Sequence, residues 1–337
     1  MKFAIISADP SHGLNFWINP ETGDATSFMN WLHIWNGFHF NYLKLRDNFS
    51  FLKDFDVVMM SGHPYHFNDI KTIADYLKNH KTVTMFYPEG SAQLYESSIN
   101  NFHMEVYDAM NACDILSIVE EDKRAYYESF IHSETIVRFI HVPMRQEMMA
   151  GVFRIPRMHK HHNLTLVYGD NNPNHPLIAY ACAKRLKMDV IAFESDRGKK
   201  DLLGKMFPEL NMLFFEKAGQ YPFLRNLGRV MLHFYPTEWI GTARQQISCA
   251  VTGTPCIGNH DSHTQRRLFP EIGFDIYDMD KMCEAADRLL RDERFYQGIV
   301  ERAWQAVEFY DLPHTQARFV AAFEDALRIK NRVVVAT

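Results

Sequence analysis

The chain has 337 residues, 47% of them hydrophobic and 23% charged, with a formal net charge of −5. That length accommodates two domains of ordinary size, and the composition is that of a soluble globular protein. The acidic balance excludes a polyanion grip spread over the whole surface and leaves only a local basic face.

Five cysteines (Cys113, Cys182, Cys249, Cys256, Cys283) are scattered without a CxxC pair. Such a set reads as reduced thiols, so a cytoplasmic location is expected. The opening MKFAIISADP is too short an apolar run for a signal peptide and reads as a first strand. No apolar stretch reaches the roughly 18 residues of a membrane span.

In chain order, strands are predicted at Phe3–Ser7, Val57–Ser61, Val83–Tyr87, Ile115–Val119 and Ile136–Val142. A second series follows at Leu164–Tyr168, Val190–Phe193, Met212–Phe215, Val230–Phe234, Pro255–Gly258 and Phe274–Tyr277. Helices lie between them. Phe28, Trp31, Leu32 and Trp35 form one helical stripe, closed by Gly37. Ile70, Ile73, Ala74 and Leu77 form another, with Asn68 as its expected cap. Strands alternating with helices give an α/β chain with parallel, doubly wound sheets.

Two such series predict two Rossmann-like domains, over 1–150 and 151–312, with a final helix over 313–337. The break is expected in Met144–Asn163, a polar, basic stretch whose His159-Lys160-His161-His162 tract reads as solvated. Ligands of parallel sheets bind where loops and helix N-termini follow the strands. Residues just after strands are therefore the candidates.

The first such loop is Asp9-Pro10-Ser11-His12-Gly13. The second is His63-Pro64-Tyr65-His66, after Gly62. In the third, Glu89 follows a strand directly and precedes Gly90. A carboxylate there suits a general base taking a proton from an attacking hydroxyl; a helix-start acid favoured by the dipole is the plainer alternative. In the second series, Gly169-Asp170-Asn171-Asn172 follows a strand, and a glycine there lets backbone approach a ligand closely. An ordinary Asn-Pro turn is the alternative.

The stretch Thr237–Gly258 (TEWIGTARQQISCAVTGTPCIG) reads as loop, helix from about Ala243 to Thr252, the turn Gly253-Thr254-Pro255, and a short strand. Arg244 and Gln245 stand in the first turn, where free backbone N–H groups suit a pyrophosphate. This helix–turn–strand unit resembles the nucleotide-sugar site of the GT-B glycosyltransferases. The resemblance implies two Rossmann-like domains facing a cleft, with the final helix crossing back to the first. It implies a glycosyltransferase using a nucleotide diphosphate sugar, UDP-linked, with phosphates near Gly169–Asn172 and Arg244–Gln246.

The family's ribose-holding glutamate, five residues before the glycine, is replaced here by Ser248, and a second family glutamate falls on Ile240. That departure points to a divergent, inverting enzyme, and the resemblance implies that positive side chains and helix N-termini stabilise the leaving diphosphate without a metal. Glu89, Asp9 and His12 are then the expected catalytic residues, and Gly13, His63, Tyr65 and His66 the acceptor side. Gly169, Asp170, Asn171, Asn172, Arg244, Gln245, Ser248, Gly253 and Thr254 are expected to bind the donor.

The order strand, carboxylate, aromatic-rich loop also resembles the bacteriophage DNA β-glucosyltransferases, which implies hydroxymethylated DNA as one acceptor. A glycan or small molecule is the alternative. A sugar-nucleotide 2-epimerase and a non-catalytic nucleotide-binding module remain open. Asp261-Ser262-His263 and Asp278-Met279-Asp280 spell short metal-like motifs. Too few ligands are local in the first, and Asp280 reads as a helix N-cap in the second.

Overall fold

The structure, a computed structural model, describes residues 1–8, 31–32, 35, 37–45, 48–62, 64–88, 102–144, 146–168, 175–193, 197–215, 219–238 and 244–336. It has two six-stranded sheets, each internally parallel. One unit takes its described residues from 1–144 and 310–336, the other from 146–309.

The first sheet has the order β2-β1-β3-β4-β5-β6. Its strands are β1 (Phe3–Ser7), β2 (Phe38–Asn41), β3 (Val57–Gly62), β4 (Val83–Pro88), β5 (Ile115–Ile118) and β6 (Ile136–Phe139). Its central strands are apolar without alternation because both faces are covered. Ala4, Ile6, Val58 and Met60 pack on one face, against Phe67, Ile70, Ile73, Ala74 and Leu77 of α1 (Phe67–Leu77). Helix α2 (Phe102–Ala112) packs beside α1. Phe3, Ile5, Val57 and Met59 pack on the other face, with Trp31, Leu32 and Phe319.

The second sheet has the order β12-β11-β10-β7-β8-β9. Its strands are β7 (His161–Tyr168), β8 (Asp189–Phe193), β9 (Met212–Phe215), β10 (Val230–Tyr235), β11 (Cys256–Asn259) and β12 (Gly273–Phe274). Its longer helices are α3 (Pro176–Arg185), α4 (Arg197–Met206), α5 (Gln220–Arg229), α6 (Arg244–Thr252), α7 (His263–Leu268), α8 (Met279–Arg291) and α9 (Glu293–Ala306). The last helix, α10 (Leu312–Ala336), packs on the first sheet, where Phe319 lies 5.4 Å from Trp31 and 5.6 Å from Trp35 between ring centroids. Among the described residues, no helix is long and apolar enough to cross a membrane.

Three local expectations are corrected. Asn68 lies inside α1, whose N-cap position is His66. Asp278, not Asp280, caps α8 by accepting from the Lys281 N–H at 3.2 Å; the helix starts one residue after it and Asp280 pairs instead with Arg185. Within the basic tract, His159, His161 and His162 are exposed, but Lys160 is buried and β7 already begins at His161.

Candidate functional site

In each parallel sheet the chain order reverses beside the unit's first strand: between β1 and β3 in one, between β7 and β10 in the other. In parallel α/β sheets ligands bind outside the carboxyl ends of the strands at such a reversal.

In the first unit, Asp9, His12, Gly13, His63 and Glu89 lie outside the described residues. Tyr65 and His66 form the short turn of helix Pro64–His66, just after β3. Tyr65 is 80% exposed, whereas His66 is buried. The His66 ring stacks on Tyr42 at 4.5 Å and 15°, and its Nδ1 lies 2.7 Å from Asp69 Oδ2. Tyr42 in turn donates its hydroxyl to the Ser61 carbonyl at 2.8 Å. A carboxylate on Nδ1 holds the ring in one orientation.

In the second unit, Gly169, Asp170, Asn171 and Asn172 lie outside the described residues. The His175 N–H donates to the Pro236 carbonyl at 2.9 Å, tying the start of α3 to the end of β10. The His175 ring lies 3.1 Å from Glu238 Oε1 and 5.7 Å, edge-on, from Tyr277. Asn259, the last residue of β11, donates from Nδ2 to the Thr237 carbonyl at 2.9 Å and accepts from the Asp261 N–H at 2.9 Å. Arg266 holds the same turn through the His260 and Asp261 carbonyls. Glu238, His175 and Asn259 are not among the site residues expected from the sequence. The available signal was their place at the C-terminal ends of strands: Glu238 three residues after β10, Asn259 the last residue of β11, and His175 at the helix start that follows β7.

Arg244 is the first residue of α6 and is exposed. Gln245 beside it is half-buried, and its Oε1 is buried without a hydrogen-bond partner among the described residues. Arg244 and Gln245 open α6, which returns to the parallel strand β11 and so starts at the C-terminal edge of the sheet, where a helix start suits an anion.

Ser248 lies one turn further in, buried, with its carbonyl accepting from the Thr252 hydroxyl at 2.9 Å.

Gly253 and Thr254 are not brought together with Arg244. The helix runs opposite to the strands, so the turn that leads into β11 falls at the sheet's N-terminal edge, about 12 Å along α6 at its ordinary rise. Gly253 adopts φ +66°, a left-handed conformation that ends the helix at little cost only for glycine. The Thr254 hydroxyl donates to the Leu227 carbonyl at 2.8 Å and accepts from Lys160 Nζ at 2.9 Å. Lys160 Nζ also reaches the Gly228 carbonyl at 2.6 Å. It thereby satisfies backbone at the C-terminal end of α5. Burial pulls the Lys160 amine down to about 7.

Between the two edges, His233 of β10 is buried. Its Nδ1 donates to the Leu166 carbonyl at 2.7 Å, and its ring stacks on Tyr235. Burial pulls its imidazole down to about 4, so it stays neutral near pH 7. Among the described residues, no group of three or more His, Cys, Asp or Glu side chains is placed to hold a metal ion.

No protein-family model matches the chain, and no curated protein matches it in sequence. Solved structures do. An alpha-glucosyltransferase in complex with UDP-glucose and DNA containing an abasic site is similar at 12% identity and a TM-score of 0.65, over 97% of this chain and 99% of that one. The same coverages, with a TM-score of 0.66, hold for an alpha-glucosyltransferase in complex with UDP and a 13-mer DNA containing a HMU base. TarM is similar at 12% identity and a TM-score of 0.65, over 84% of this chain and 57% of that one. The chain has the GT-B fold, and its structural neighbours include GT-B glycosyltransferases.

Proposed function

We propose that this protein transfers a sugar from a UDP-sugar to an acceptor hydroxyl. The observation that carries the reading is the C-terminal edge of the second sheet. There the start of α6, with Arg244 and Gln245, faces the same edge as His175, Glu238 and Asn259. A guanidinium and a helix start suit the charge that develops on a leaving diphosphate. Gly169–Asn172 belong to the same donor side in this reading. Solved complexes of similar fold with UDP and UDP-glucose support the choice of donor.

Acceptor chemistry falls to the first unit, with Asp9, His12 and Glu89 as the reacting or orienting side chains. Gly13, His63, Tyr65 and His66 contact the acceptor. Hydroxymethylated DNA is the favoured acceptor. The support is coverage: this chain and the alpha-glucosyltransferase bound to HMU-containing DNA match over 97% and 99% of their lengths, against 57% of TarM. The net charge of −5 requires that any DNA contact be local.

On stereochemistry, the alpha-glucosyltransferase neighbours favour retention over the inversion expected from the sequence. UDP-glucose carries an α linkage, and an α product keeps it. Glu89 then orients the acceptor hydroxyl instead of serving as its sole base.

The test is incubation with radiolabelled UDP-glucose and duplex DNA carrying 5-hydroxymethyluracil or 5-hydroxymethylcytosine. Label in the DNA, with an α-anomeric proton signal in the product, is the expected result. UDP-glucose consumed with the DNA unlabelled rejects the acceptor, and a UDP-sugar neither bound nor consumed rejects the donor. Glu89→Gln is expected to keep UDP affinity and slow transfer; unchanged turnover removes Glu89 from the chemistry.

A further inference from the structure

Three buried side chains tie the start of α6 to the loop after β11. Gln265, on α7, uses its Nε2 to donate to the carbonyls of Cys256 at 2.9 Å, Phe269 at 3.1 Å and Ile272 at 3.3 Å. Its Oε1 accepts from Gln246 Nε2 at 2.9 Å. Gln246 Oε1 then accepts from the hydroxyl of Ser262 at 3.2 Å. Gln246, Ser262 and Gln265 are each 0% exposed.

Gln265 is seated by two glycines. A Cβ on Gly258 of β11 would come within 2.7 Å of Gln265 Oε1, and one on Gly273 of β12 within 3.1 Å of its Cγ. The amide is therefore fixed by packing as well as by hydrogen bonds. A buried polar network whose members are all satisfied holds a single geometry, because any slip leaves a donor or acceptor unpaired.

Gln246 is the third residue of α6, in the same turn as Arg244 and Gln245. Ser262 is the N-cap of α7 and closes the turn Asn259–Ser262, its N–H donating to the Asn259 carbonyl at 3.1 Å. Asn259 reaches back to Thr237. One relay thus joins the helix start to the loops after β10 and β11.

We propose that Gln246, clamped by Gln265 and Ser262, is a positioning residue that sets the first turn of α6 for the diphosphate of the donor. The inference rests on the donor reading above. It assigns the positioning to side chains that themselves touch no ligand.

The test measures UDP binding by titration calorimetry, at a temperature well below each variant's thermal midpoint. Gln246→Leu and Gln265→Leu are expected to raise the UDP Kd about tenfold, the equivalent of one or two misplaced hydrogen bonds. Ser262→Ala, which removes a single long bond and carries the test if the leucine variants do not fold, is expected to raise it about twofold to threefold. Thr254→Val is the structural control: it removes hydrogen bonds at the far end of α6, lowers the midpoint and leaves Kd unchanged.

Kd unchanged in Gln246→Leu, Gln265→Leu and Ser262→Ala overturns the positioning role. An equal rise in Thr254→Val also overturns it, since the effect is then general loosening. Wild-type protein that does not bind UDP overturns the donor reading itself, an outcome distinct from both.

Discussion

The two ends of helix α6 differ in how their polar groups are satisfied. At the C-terminal end, Thr252, Gly253 and Thr254 are closed off: the hydroxyls bond to backbone, Lys160 fills the space between α5 and α6, and the Tyr296 hydroxyl donates to the Gly253 carbonyl at 3.1 Å. At the N-terminal end, Arg244 is exposed and Gln245 carries a buried oxygen with no partner among the described residues. One end is finished by the protein's own groups, and the other is the edge proposed above for the donor. A sequence motif that spans a helix therefore spans both edges of the sheet.

The largest expected break of this contrast is Arg244→Ala. Loss of a charge-assisted contact to phosphate is worth about 1.5–3 kcal/mol, so the UDP Kd should rise roughly tenfold to a hundredfold with the thermal midpoint little changed. An unaltered Kd in calorimetry would remove Arg244 from the site.

His233, between the two edges, is next. Its folded pKa of about 4 lies below the ordinary 6.5, so the unfolded chain binds the proton first and stability falls as pH drops from 6.5 to 4. Urea midpoints across that range should fall less steeply in His233→Phe, by about 1–3 kcal/mol. Parallel pH profiles for the two proteins would contradict a buried neutral imidazole.

Lys160 tests the closed end. Its amine sits at about 7 when folded against an ordinary 10.5, so the unfolded chain binds more protons between those values and stability rises with pH through that window. Relative to Lys160→Met, the wild type should gain about 1–2 kcal/mol between pH 7 and 9, read from urea unfolding. UDP affinity should be the same in both.

The smallest effect is expected outside both ends. Asp325 pairs with Arg138 at 2.7 Å and with Arg328 on the partly exposed face of α10. Asp325→Ala should cost at most about 1 kcal/mol in chemical denaturation and leave UDP binding untouched.

Much of the fold was legible because parallel strands covered on both faces are short unbroken apolar runs. Phe3–Ser7, buried throughout, falls on its predicted bounds; so does Met212–Phe215, an edge strand whose four residues are nonetheless all apolar. Strand β2 was not legible: Phe38–Asn41 is a four-residue edge strand with Phe38 exposed, and no apolar run marks it. Lys160 was misread because a lysine among three histidines looks solvated; only the fold brings Gly228 and Thr254 to it. The Gln246–Gln265 bond joins residues on two helices, and no local pattern announces it. The placement of Gly253 and Thr254 was available in principle, since a helix that returns to a parallel strand must end at that strand's N-terminal edge.

The most direct test of the account is a crystal structure of the protein soaked with UDP. Diphosphate density is expected within hydrogen-bond distance of Arg244 and the first turn of α6, with the nucleoside reaching toward Glu238 and Asn259. UDP bound at the Gly253–Thr254 edge, or on the first unit, would contradict it.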